Sequence, residues 1–330
     1  MNKQGATMKA WTVGAAAPEL REVPRPVARA NQILVRVRHA AINRADLHVA
    51  AGHVHGRSGG AGSTIGIEWT GDIAEIGADV PPGFALGQRV MCSGVGGYAE
   101  YAATDWGRVY PLPPGLDAAS AAALPIALQT AHEALTASGG FVRGETVLVH
   151  GASSGVGLMA MQVARRLGAS AVVATSTTPA RQARLREFGA THVVDARAPG
   201  WADEVLAATG GEGAHLVVDF IAGPGINETL RATRILGRIV NVGRMGGFTG
   251  EFDFDLHSLR RISYVGATFR TRSQEEVRNI AQRMRADLWD ALSRGELRLP
   301  LAARYPFEEA RVALDFVAAN AHFGKVVLDL

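Results

Sequence analysis

The sequence predicts an α/β protein: a Rossmann-type, doubly wound parallel sheet joined to a separate β-rich domain. Three observations predict it. Residues 145–265 alternate short β-branched apolar runs with helix-length amphipathic segments, as in a parallel sheet covered on both faces. Before residue 118 the period is that of half-buried strands, punctuated by Pro and Gly. At the junction, Glu145-Thr-Val-Leu-Val-His150 runs into Gly151-Ala-Ser-Ser-Gly-Val-Gly157 and then into an apolar-periodic segment, a strand, glycine-rich turn and helix in succession. A chain of 330 residues also exceeds one ordinary core. The expected division is 1–122 for the β-rich domain, 123–265 for the Rossmann domain, and 266–330 returning to the first.

In the β-rich part, strands are expected at 8–13, 19–23 and 32–38, where Val35 and Val37 alternate with Arg36 and Arg38. Asn43 is a plausible cap for a short helix that follows. Residues 53–63 are glycine-rich, 65–71 lead into a strand at 72–76, and another strand is expected at 88–91. A turn over 94–101 leads to Val109–Pro114, which closes the lobe. Helices are expected at 118–123 and 126–138. The first Rossmann strand is followed by a helix over 158–167 that stops at Gly168. The alternation continues with strands at 171–175, 191–195, 215–220 and 238–242 and helices at 179–188, 201–209 and 227–236. A strand at 262–269, helices at 274–294 and 308–318, and a strand at 324–330 finish the chain.

The bulk composition excludes several classes. Net charge is +3 and no run of Lys or Arg occurs, so no nucleic-acid partner is expected. Cys92 is the only cysteine, which rules out an internal disulfide and a cysteine-built zinc site. No stretch approaches the roughly 20 apolar residues of a membrane span. Residues 1–8 are polar and lack the apolar centre of a signal peptide, so a cytoplasmic location is expected.

The glycine-rich turn is where chemistry is expected. Free N–H groups and the positive end of a helix face whatever sits above Ala152, Ser153, Ser154, Gly155 and Val156. In a βαβ unit that ligand is usually a dinucleotide pyrophosphate. The spacing departs from G-x-G-x-x-G, and the bland alternative is an ordinary tight strand–helix turn. An acidic residue at the end of the second strand would hold the ribose of NAD. Here the chain reads Thr175-Ser176-Thr-Thr178, then Pro, Ala and Arg181, with no carboxylate before Glu187. Hydroxyls with Arg181 suit a 2′-phosphate and hence NADPH, against a plain turn with a solvated arginine. Val242, Gly243, Arg244 and Met245 follow a sheet strand, where open α/β sheets bind ligands; they are placed along the nicotinamide half.

Several stretches together resemble the medium-chain dehydrogenase/reductase superfamily, and more closely its zinc-independent, zeta-crystallin-like quinone oxidoreductases. They are Ala41-Ile-Asn43-Arg-Ala-Asp46, Gly66-Ile-Glu68-x-x-Gly71, Gly97-Tyr-Ala-Glu-Tyr101, Leu124-Pro125-x-x-x-x-Thr130, Ala152-x-x-Gly155-Val-Gly157 and Phe323-Gly-Lys325-Val-Val327. The resemblance implies a GroES-like catalytic domain, an NADPH-binding domain and a homodimer paired through the strand at 262–269. The zinc ligands of the alcohol dehydrogenases would fall at Asn43, Ile67 and near Ile126, none a good ligand, so no metal is expected. Without zinc to polarise oxygen, an electron-poor acceptor is expected, a quinone or a conjugated carbonyl.

Asn43 is where the resemblance implies a hydrogen bond to substrate or nicotinamide. Asp46 matches the motif and is expected to fix the helix or loop, and His48 is a candidate proton donor. Thr130 is placed near the nicotinamide or its ribose, Phe269 or Thr268 is expected to close the nicotinamide end, and Lys325 is placed with the cofactor-binding residues. The sequence also departs from the pattern. Relatives carry Arg and Tyr where Ala50 and Val54 stand, which keeps an alkene (enone or enal) reductase as the alternative. Ala196 stands in place of a tyrosine near the adenosine phosphate, with Arg197 beside it. A third class, an NADPH-binding structural or nucleic-acid-binding protein without turnover, would bind cofactor and reduce nothing.

Overall fold

The computed structural model describes residues 5–330. It divides into two compact units, one formed by the chain up to Ile126 with Phe269–Leu330, the other by Ala127–Thr268.

The first unit opens with an antiparallel hairpin, β1 (Thr7–Val13) and β2 (Pro18–Pro24). β3 (Gln32–Ala41) leads through helix α1 (Arg44–Ala50) to β4 (Glu68–Ile76), β5 (Arg89–Ser93), β6 (Tyr101–Asp105) and β7 (Val109–Pro111). Helix α2 (Ala118–Ala122) follows, and α3 (Pro125–Leu135) begins at its end. β3 is the centre of a seven-stranded sheet. One side pairs with β4; the other is shared between β6 and the last strand of the chain. Trp11, Ile33, Val35, Trp69 and Tyr98 are buried in its core.

The second unit holds six parallel strands: β8 (Thr146–His150), β9 (Ala171–Thr175), β10 (His192–Val194), β11 (Ala214–Asp219), β12 (Thr233–Asn241) and β13 (Ser263–Gly266). Their spatial order, β10-β9-β8-β11-β12-β13, is the doubly wound 3-2-1-4-5-6 arrangement of a Rossmann sheet. Between them lie α4 (Gly155–Leu167), α5 (Pro179–Leu185), α6 (Trp201–Ala208), α7 (Ile226–Ala232) and α8 (Phe254–Arg260). The chain then forms α9 (Gln274–Ser293), β14 (Leu301–Pro306), α10 (Ala310–Ala318) and β15 (Lys325–Asp329). β14 runs parallel to β15, which pairs antiparallel with β3, so both join the first unit's sheet.

The α/β class and Rossmann-type sheet are as the residue pattern predicts; several boundaries are not. β4 begins four residues before the expected strand, and β6 and β14 were not expected. β14 is an edge strand of alternating half-buried and exposed residues, with little apolar signal. The helix expected over 227–236 stops at Ala232 because Thr233 is already extended and pairs with Ala214. Leu236 has φ +61°, which no α-helix contains. The strand expected at 262–269 contracts to Ser263–Gly266, and α4 starts at Gly155, three residues early.

Candidate active site

In the second unit, β8 is buried to its end and delivers the chain to Gly151. Ser154 caps α4: its Oγ accepts from the Gly157 N–H (3.1 Å). The Gly155 and Val156 N–H groups lie in the same first turn, where no intrahelical acceptor exists. A Cβ on Gly157 would lie 2.7 Å from the Ala152 carbonyl oxygen, so only glycine lets the helix start against the strand exit. Thr175, at the end of β9, latches this turn. Its Oγ1 accepts from Gly151 N–H (3.0 Å) and hydrogen-bonds His150 Nδ1 (2.8 Å). The His150 ring stacks on Trp201 at 4.8 Å, and burial pushes its imidazole pKa down, so it stays neutral.

Beside Thr175, the Ser176 Oγ is buried without a partner among the described residues. Arg181 is half-buried in the first turn of α5. The carboxylate that follows β10, Asp195, is held by Arg197 (Nη2–Oδ2 2.9 Å), whose hydrogen bonds push it down to about 2. At the switch point, Asp219 Oδ1 accepts from the N–H groups of Ile221 (2.8 Å) and Ala222 (3.1 Å). That anchor holds Ala222 at φ +52°, a conformation costly to a residue with a Cβ. A Cβ on Gly243 would meet the Phe220 carbonyl oxygen at 2.6 Å, so the loops after β11 and β12 touch backbone to backbone. Val242 and Gly243 are half-buried there and Met245 is exposed. The strand ends thus gather Ala152–Val156, Thr175, Ser176, Val242 and Gly243 on the carboxyl edge of one sheet, where such folds take ligands. An anion-ready helix start, a cradle that a Cβ would fill and an orphaned hydroxyl fit a dinucleotide phosphate.

In the first unit the polar side chains form a closed network. Lys325 Nζ donates to Glu68 Oε1 (2.6 Å) and to Asn43 Oδ1 (2.7 Å), while Asn43 Nδ2 donates to Glu68 Oε1 (2.8 Å). Glu68 Oε2 accepts from the Ile126 N–H (2.9 Å), which places the carboxylate at the N-terminus of α3. Glu68 and Lys325 are buried; Asn43 is half-buried. Asn43 is also the N-cap of α1, but by its backbone: its N–H donates to Asp46 Oδ2 (2.8 Å). Tyr98 Oη donates to the same oxygen (3.0 Å). Burial pushes the Asp46 carboxyl up to about 7, against the lowering effect of those hydrogen bonds and Lys325. Its other oxygen is buried with no partner among the described residues. Burial also pushes the Tyr98 hydroxyl well up, so it remains a donor.

His48 lies on the exposed face of α1, its ring 6.4 Å from that of His53. Thr130 is half-buried on α3. Phe269 is half-buried with the Arg272 guanidinium 5.9 Å from its ring centroid. Cys92 is fully buried, and burial pushes its thiol up. Among the described residues no group of three or more His, Cys, Asp or Glu is arranged to hold a metal. No helix among them is long and apolar enough to cross a membrane. The pairing of Glu68 with Lys325 and of Asp46 with Tyr98 was missed from sequence. The available signal was a charged residue embedded in each apolar strand, Glu68 between Ile67 and Trp69 and Lys325 before Val326.

A family model described as "Alcohol dehydrogenase GroES-like domain" matches residues 29–114, and one described as "Zinc-binding dehydrogenase" matches 155–286. The human "Quinone oxidoreductase" is 30% identical over 93% of this chain and 92% of its own length. "Erythronolide synthase EryA2" from Saccharopolyspora erythraea is 33% identical over 93% of this chain, which spans only 8% of that protein. A crystal structure of a probable oxidoreductase from Mycobacterium abscessus superimposes with TM-score 0.84 at 31% identity, covering 98% of this chain and 99% of that one. With the GroES-like and Rossmann parts both matched, the protein is an oxidoreductase of the medium-chain dehydrogenase/reductase superfamily. Within it, the chain belongs to the zeta-crystallin-like quinone oxidoreductase family.

Proposed function

We propose that the protein is an NADPH-dependent, zinc-independent reductase of quinones. NADPH, when bound, supplies a hydride from C4 of its nicotinamide. The Gly155 and Val156 N–H groups and the positive end of α4 hold its pyrophosphate. Ser176 and Arg181 take the 2′-phosphate, since β9 ends without a carboxylate and Asp195 is already neutralised by Arg197. Thr130, Val242, Gly243, Met245 and Phe269 border the nicotinamide. Asn43 donates to the acceptor oxygen and so orients it.

The observation that carries this reading is the amide of Asn43, pinned between Lys325 and Glu68 where alcohol dehydrogenases have a zinc ligand. An amide paired with an ammonium is no metal site, and the weaker polarisation it offers suits an acceptor that is already electron-poor. Ala50 and Val54, small and apolar where relatives have Arg and Tyr, favour a second reading as an alkene reductase of enones or enals. The same family reading makes the protein a cytoplasmic homodimer joined through β13, the edge strand of its sheet, where Tyr264 is exposed.

The test is kcat/KM with NADPH for a para-quinone and a conjugated enal side by side, against an enzyme-free blank. A preference of about tenfold or more for the quinone is expected. Preference for the enal selects the second reading. Activity lost on dialysis against a zinc chelator and restored by zinc would overturn zinc independence.

A further inference from the structure

We infer that Glu68 and Lys325 are positioning residues that lock the amide of Asn43 in one orientation, leaving a single Nδ2–H to meet the acceptor oxygen. The inference deepens the reductase reading above and rests on it. An ammonium only donates and a carboxylate only accepts, so Oδ1 must face Lys325 and Nδ2 must face Glu68. The amide cannot turn over without setting donor against donor and acceptor against acceptor. Glu68 is itself fixed, since Oε2 takes the Ile126 N–H while Oε1 takes both Lys325 and Asn43. The backbone of Asn43 is held by Asp46. Glu68, Lys325 and Asp46 are buried, and only Asn43 is partly open. One Nδ2 hydrogen is spent on Glu68, and the other is the only donor of this side chain left for a bound molecule. A donor pre-aimed by a buried ion pair needs no reorganisation when charge grows on the acceptor oxygen.

Glu68→Gln tests this at nearly constant volume, because a glutamine accepts or donates and so releases the amide. kcat at saturating NADPH is measured with 1,4-benzoquinone and trans-2-hexenal in the native protein, Glu68→Gln, Asn43→Ala and the double variant. Expected are a fall of about tenfold or more with hexenal, a smaller fall with benzoquinone, and an unchanged KM for NADPH. In the Asn43→Ala background, Glu68→Gln should add nothing. A second readout needs no turnover. In cofactor-free protein labelled with ¹⁵N-asparagine, the Asn43 side-chain amide should give two distinct proton signals that draw together in Glu68→Gln. Should Glu68→Gln unfold, the same cycle is read from Lys325→Arg, which keeps the charge but not its point geometry. A penalty equal for both acceptors and undiminished in the Asn43→Ala background would overturn the inference while leaving the reductase reading intact. A raised KM for NADPH with kcat unchanged would also overturn it, by assigning the pair to the cofactor. If Asn43→Ala costs nothing with either acceptor that the native protein turns over, the inference fails while the reductase reading stands; if neither acceptor turns over, the reductase reading fails and this inference with it.

Discussion

The two units make polar sites from different materials. The turn after β8 is built of backbone: N–H groups at a helix start, with glycine wherever a Cβ would strike a neighbouring main chain. The network around Asn43 is built of five side chains brought from four places: Asn43 and Asp46 at the start of α1, Glu68, Tyr98 and Lys325. A backbone site tolerates changes of side chain and fails on one added methyl. A side-chain site fails by charge, because each buried member is balanced only by the others.

That contrast can be sharpened by substitution, and the largest effect is expected in the side-chain network. In the native state Asp46 holds its proton up to about 7, whereas its ordinary value is 3.8. Between those values the folded protein binds more protons than the unfolded chain, so this group's contribution to stability falls as pH rises from about 4 to about 7. Asp46→Asn removes the titration. Relative to the native protein, its unfolding free energy should rise by about 2 kcal/mol from pH 5 to pH 8, read from denaturant midpoints. A pH-independent difference would show that the carboxyl is ionised throughout.

Gly157→Ala comes next. The methyl would stand 2.7 Å from the Ala152 carbonyl, against backbone that cannot rotate away. NADPH affinity, followed by nicotinamide fluorescence, should drop about twentyfold while far-UV circular dichroism is unchanged. Retained affinity would break the backbone half of the comparison. Arg181→Glu changes only a side chain at the same edge and should shift the NADPH/NADH ratio of kcat/KM about tenfold toward NADH. The smallest effect is expected at a position in neither site. Leu236 is 62% exposed at φ +61°, and Leu236→Gly should gain about 0.5 kcal/mol in chemical unfolding, with kinetics unchanged.

The same contrast explains what could be read in the sequence. A backbone site announces itself locally: Gly151, Gly155 and Gly157 fall within seven residues, next to a strand pattern. The Rossmann alternation was legible for the same reason, since each βα unit is contiguous. The limits appear where tertiary pairing decides. Residues 233–236, Thr-Arg-Ile-Leu, carry no periodicity that separates helix from strand, and the pairing of Thr233 with Ala214 settled it. β6 is a strand because β3 presents it an open side. A motif resemblance singled out Asn43 but not its hydrogen-bond partners, because Glu68 and Lys325 lie 257 residues apart. His48 carried a chemical argument from its type alone, and the helix turns it to the solvent while Asp46, two positions earlier, turns inward.

The separation of Glu68 from Lys325 also bears on how the protein is made. Glu68 is synthesised early, yet its cation and the β15 strand that carries it emerge only after the whole of Ala127–Thr268. During translation the first unit therefore waits, one side of β3 partly unpaired and a carboxylate without its counter-charge, while the second unit, contiguous in sequence, is free to fold. The site around Asn43 can therefore close only once the whole of the second unit has been synthesised.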